Sequence, residues 1–166
     1  MPTFDAAGVA ELAKPLIRPF YVAWLDITGD VIRATTAPVS LQFVGTNDID
    51  GGATTLTSPT FDATTPAGFQ PGEAYIKYWR WYSNDQGGAP NADSMPVQIS
   101  NNNGSTWTQL ELVSDNSNAW VNKRFKVSDF VAPTAAMKLR FIARDLASGS
   151  IVEAGVDDVL ATVVTC

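Results

Sequence analysis

The sequence predicts an all-β protein: a jelly-roll-like antiparallel β-sandwich preceded by a short N-terminal helix and a β-hairpin arm. Three observations point there. From residue 73 onward apolar and polar residues alternate in short runs, the period of half-buried strands. Turn-forming Gly, Pro, Asn, Asp and Ser separate those runs. Only one stretch of the 166 residues has convincing helical spacing.

That stretch is 5–14, DAAGVAELAK. Asp5 suits an N-cap, Val9, Leu12 and Ala13 share one face, and Pro15 and Pro19 prevent continuation. FYVAWLDITGDVIRATT (20–36) reads as two strand-like runs meeting at Thr28-Gly29-Asp30, a β-hairpin rich in β-branched and aromatic residues. In VSLQFVG (39–45), Val39, Leu41 and Phe43 fall on one face. TNDIDGGATTLTSP is a turn-rich passage leading into a short strand. Further strands are expected at 74–83, 95–100, 106–113, 120–127, 136–144 and 151–163. The sharpest turn is SNNNGST (100–106), an Asn-Gly hairpin signal. Residues 1–46 therefore form an arm and 47–166 the sandwich, with no internal repeat or low-complexity tract.

Composition narrows the function classes. The net charge is −6 and the pI near 4.4, which argues against nucleic acid and against an anionic membrane surface, since both demand a basic patch. No apolar run approaches the roughly 20 residues of a membrane span. MPTFDAAGVAELAKP lacks the basic start and apolar stretch of a secretory signal, so export would need a signal already removed or another route. The single cysteine, Cys166, permits no intramolecular disulfide.

Catalytic signals are absent from the sequence. Without histidine there is no Ser-His or Cys-His nucleophile system and no His metal ligand. No G-x-S-x-G elbow and no phosphate-cradling glycine loop occur, and nothing singles out a carboxylate pair for glycoside hydrolysis. The chain is expected not to be an enzyme. NGS at 103–105 is formally a glycosylation acceptor, but a hairpin tip explains it better.

NDIDGGATTLTSPTFD, KYWRWYSN, VQISNNNGSTWTQLE, FVAPTAAMKLRFIARD and SGSIVEAGVDDV follow one another in an order that resembles jelly-roll modules of secreted bacterial proteins, of the MAM-type and carbohydrate-binding kinds. This resemblance spans about residues 47–164. LAKPLIRPFYVAWLDITGDVIRATTAPVSLQFVGT, within residues 1–46, is similar over a shorter length to the start of certain bacteriophage tail proteins. The secreted modules usually enter the NDIDGG motif after a longer Trp- and Gly-rich section. That section is missing here, so residues 20–45 are expected to supply an opening strand, in the same chain or in a neighbour.

Site expectations follow. In such modules an early loop and the last strand commonly share a structural ion, which makes Asp48, Asp50 and Asp157 candidate ligands for a structural calcium. The bland alternative is that they form turns and solubilise an edge. In IKYWRWYSN, extended backbone puts Lys77, Trp79 and Trp81 on one face and Ile76, Tyr78, Arg80 and Tyr82 on the other. One face is expected to pack in the core; Trp79, Trp81 and Trp120 are the candidates for stacking on sugar rings. Phe20, Trp24, Leu41 and Phe43 need burial, either on their own sandwich or by adding strands to an edge of the next subunit. A head-to-tail contact of that kind generates filaments. The function expected is a non-catalytic structural or adhesive subunit of an extracellular assembly, a surface filament or phage tail, with copies of itself as partners. The alternative is a carbohydrate-binding module with glycan partners. Neither reading involves nucleic acid or membrane insertion, and both place the protein outside the cell or in a virion.

Overall fold

The computed structural model describes residues 51–164, together with the backbone of Ala23 and Trp24. The expected helix at 5–14, the hairpin arm and the 39–45 strand otherwise lie outside these residues. The strands are β1 (Ala23–Trp24), β2 (Gly52–Thr57), β3 (Glu73–Gly87), β4 (Met95–Ser100), β5 (Thr108–Val113), β6 (Val121–Lys126), β7 (Lys138–Asp145) and β8 (Ser150–Val164). One 3-10 turn, Val127–Asp129, interrupts them.

Two antiparallel sheets pack as a sandwich. One has the order β1-β8-β3-β6, with β1 contributing two residues, and the other β2-β7-β4-β5. Alternation in sequence becomes alternation in burial. In β7, Leu139, Phe141, Ala143 and Asp145 point inward while Lys138, Arg140, Ile142 and Arg144 are half-exposed. The core joins Ile76, Tyr78 and Tyr82 of β3, Met95, Val97 and Ile99 of β4, and Val152, Ala154, Val156, Val159, Ala161 and Val163 of β8. Tyr78 sits between Phe125, stacked at 6.0 Å, and Phe141, edge-on at 5.0 Å, geometries that complement the ring quadrupoles.

Pro96 lies inside a strand without breaking a ladder. It pairs with Leu112 of β5, and pairing with β7 begins only at Val97↔Phe141, so its missing N–H leaves no gap between β4 and β7. The β3–β8 register slips where Lys77↔Leu160 is followed by Trp79↔Asp157. The extra residue falls at Asp158, whose φ of 49° is in the left-handed region, which one kind of β-bulge uses and which Asp tolerates.

Candidate functional site

The IKYWRWYSN face is divided as the alternation predicts. Ile76, Tyr78, Arg80 and Tyr82 are buried toward the core. Tyr75, Lys77, Trp79 and Trp81 occupy the opposite face, outside the core cluster. Of the three sugar-stacking candidates, Trp79 is half-buried and opposite Asp157, Trp120 is half-buried just before β6, and Trp81 is only 9% exposed. On the same face the Arg124 guanidinium lies 4.0 Å over the Tyr75 ring, a cation–π contact. Lys126 pairs with Glu73, which also accepts a hydrogen bond from the Tyr75 hydroxyl; these contacts hold the Glu73 carboxyl below its usual range.

On the core side, Arg80 introduces a charge. Its Nε meets Glu111 Oε1 at 3.1 Å and its Nη2 meets Asp115 Oδ1 at 3.1 Å. Glu111 also accepts from the Tyr78 hydroxyl at 2.6 Å and lies 3.4 Å from Lys123 Nζ. These residues form a polar seam between β5 and β6, the strands at one edge of each sheet. Arg80 Nη1 has no hydrogen-bond partner. Burial first, then the Glu111 charge, pushes the Tyr78 hydroxyl far above its ordinary pKa.

A second polar cluster caps one end of the sandwich. Asp93, in the β3–β4 connection, accepts from the Leu146 N–H at 2.7 Å and from the Ser150 hydroxyl at 2.5 Å. Ser150 Oγ is also 2.6 Å from Asp145 Oδ1, and Asp145 Oδ2 accepts from the Gly51 N–H at 2.7 Å. All three side chains are buried. An open cleft of about 520 Å³ beside them is lined by Gly51, Gly52, Asp145 and the β7–β8 turn.

Of the calcium candidates only Asp157 is among the described residues. Asp48 and Asp50 lie outside the described residues. Asp157 lies near the middle of β8, at the bulge. The Asp157 carboxylate accepts from the Asp158 N–H at 2.7 Å, and partial burial raises its pKa. Among the described residues no three His, Cys, Asp or Glu side chains converge on one point. Of the interface candidates, Phe20, Leu41 and Phe43 lie outside the described residues. Trp24 is placed by its backbone alone, opposite Gly155 on β8, with Ala23 opposite Val156.

Sequence reasoning missed Asp93, Asp145, Glu111 and Asp115. Each acts through partners distant in the chain, 31 residues for Arg80–Glu111 and 57 for Ser150–Asp93, and no local spacing signals such pairs. Compared with known proteins, the chain matches no protein-family model and no curated protein.

Proposed function

We propose that the chain is a non-catalytic structural or adhesive subunit of an extracellular assembly, a surface filament or a phage tail, built by β-strand addition. The observation that carries this is the outer edge of β8. Along its inner side β8 pairs with β3 from Ser150 to Val164. On its other side, among the described residues, only Gly155 and Val156 are paired, by Trp24 and Ala23. The N–H and C=O groups on that side that no described strand pairs are a template for another strand. An N-terminal segment that already touches this edge is the natural donor, to its own sandwich or to the next subunit. Donation to the next subunit is head-to-tail and propagates into a fibre.

We read the sandwich as a jelly roll. Its sheet orders, 1-8-3-6 and 2-7-4-5, are those reached when strands paired 1 with 8, 2 with 7, 3 with 6 and 4 with 5 wrap into two layers.

The test is electron microscopy with light scattering on the full-length protein, beside Trp24→Asp and Phe43→Asp variants checked for native circular dichroism. Ordered fibres or large regular oligomers that the variants lose support the reading. A 17.8 kDa monomer at every concentration overturns it. The carbohydrate-binding alternative draws on the half-exposed Trp79 ring beside Lys77 and Asp157. It calls for retention of a monomer on insoluble polysaccharide, abolished by Trp79→Ala.

A further inference from the structure

We propose that the outward face of the β2-β7-β4-β5 sheet binds an extended carboxylated polysaccharide. The proposal does not rest on strand addition, which concerns the other sheet.

The face is cationic in an acidic protein. Lys138, Arg140 and Arg144 all point outward from β7, with Ile142 between the two arginines, and strand geometry puts successive outward positions about 6.7 Å apart. By the same alternation their neighbours are Ala53, Thr55 and Thr57 of β2, Gln98 of β4, and Gln109 and Leu112 of β5. No Asp or Glu is among the outward-facing residues of these four strands; Glu111 of β5 turns inward to Arg80. None of the ion pairs among the described residues uses Lys138, Arg140 or Arg144. In a chain with 17 acidic and 11 basic residues, three cations in one row that no described residue neutralises are the unexpected feature.

Two contacts give the row shape. Arg140 donates from Nε to Gln98 Oε1 at 2.6 Å, and its guanidinium lies 4.2 Å from the centre of the half-buried Trp107 ring. Trp107 is backed by the hairpin tip, where a Cβ on Gly104 would come within 3.3 Å of the ring. Arg140 is therefore held in place by packing, ready to face an anion without first losing rotamer freedom. Lys138 and Arg144 flank it.

The neighbours select the class of anion. Threonine hydroxyls and glutamine amides suit the hydroxyls of a sugar chain, and the three cations suit carboxylates borne along it. The affinity of a nucleic acid rests on a broader basic surface than one strand of a protein with net charge −6 supplies.

The test is affinity electrophoresis of the full-length protein in gels containing polygalacturonate, neutral dextran or single-stranded DNA. The expected result is retardation by polygalacturonate alone, weakened by added salt. A Lys138→Gln/Arg144→Gln variant leaves the Arg140–Trp107 contact intact and should weaken retardation about tenfold, the range for losing two exposed charge contacts. A charge-matched Arg124→Gln/Lys126→Gln variant, altered on the other sheet, should behave as wild type. No retardation by polygalacturonate, equal weakening by both variants, or stronger retardation by DNA would each overturn the proposal. Fibre formation is scored separately, so loss of one property leaves the other readable.

Discussion

Arg80 shares one face of β3 with Ile76, Tyr78 and Tyr82 by alternation, and the structure turns that face into the core, leaving Arg80 at 2% exposure. A guanidinium is tolerated at such a site only because Glu111 and Asp115 meet it. Arg80→Met keeps the volume but leaves Glu111 largely buried beside Tyr78 with only Lys123 to balance it. Urea denaturation should show a loss of about 3 kcal/mol, in the range for breaking a buried pair from one side. Adding Glu111→Gln should recover part of that loss, because the stranded charge is then gone. That Arg80 shares a face with Ile76, Tyr78 and Tyr82 was legible in the sequence, while the choice of that face for the core and the arginine's partners 31 and 35 residues away were not.

The tyrosines give a pH dependence. Burial is the leading cause that pushes the Tyr82 hydroxyl up to about 12, from an ordinary value of 10.0, and it raises Tyr78 further still. Folding holds these protons more tightly than the unfolded chain does. Their contribution to stability is therefore fully present below pH 10 and is lost as pH rises from about 10 towards 12. Tyrosinate absorbance of the native protein should lag behind that of the protein in guanidinium over this window, and chemical stability should fall across it. A native titration that coincides with the denatured one would contradict the burial of both rings.

Strands are the scale at which the sequence is most transparent. The expected 95–100 matches β4, and the other described strands differ from expectation by a few residues at their ends. The largest extension is β3, which continues past Ser83 to Gly87 through a register slip against β8 that no alternation marks. Gly87 shows why it ends there. Its φ is 87°, and a Cβ would collide with the Gly149 carbonyl oxygen. Gly68 has a similar φ of 89° but nothing within 4 Å of its Cβ position. Gly87→Ala should therefore cost clearly more than Gly68→Ala, which carries only the backbone term of roughly 1 kcal/mol. Paired thermal melts read the difference, and equal losses would mean that the β3–β8 turn region yields to the extra methyl.

For the whole molecule, composition told the class and little of the arrangement. Alternation marks strands but not their neighbours, because β1 to β8 and β2 to β7 pairings join segments far apart in the chain. The same separation hid the Asp93–Ser150–Asp145 cluster, which exists only once the β3–β4 connection, β7 and β8 meet. Every apolar position of β8 was visible beforehand; that it would lie between β1 and β3 was not.

That central position of β8 has a consequence for synthesis. The other sheet is similar, with the late strand β7 seated between β2 and β4. A ribosome releasing the chain from its N-terminus delivers β1 to β6 first, and neither sheet can close around its missing middle. β2 and β3 must wait, with apolar faces uncovered, until the last quarter of the described residues emerges. A nascent chain stalled with residues only to 149 exposed should be cut readily by protease, whereas one exposed through Val164 should resist. Folding of this sandwich thus waits for β8 to emerge, and the early strands are the ones a chaperone would meet first.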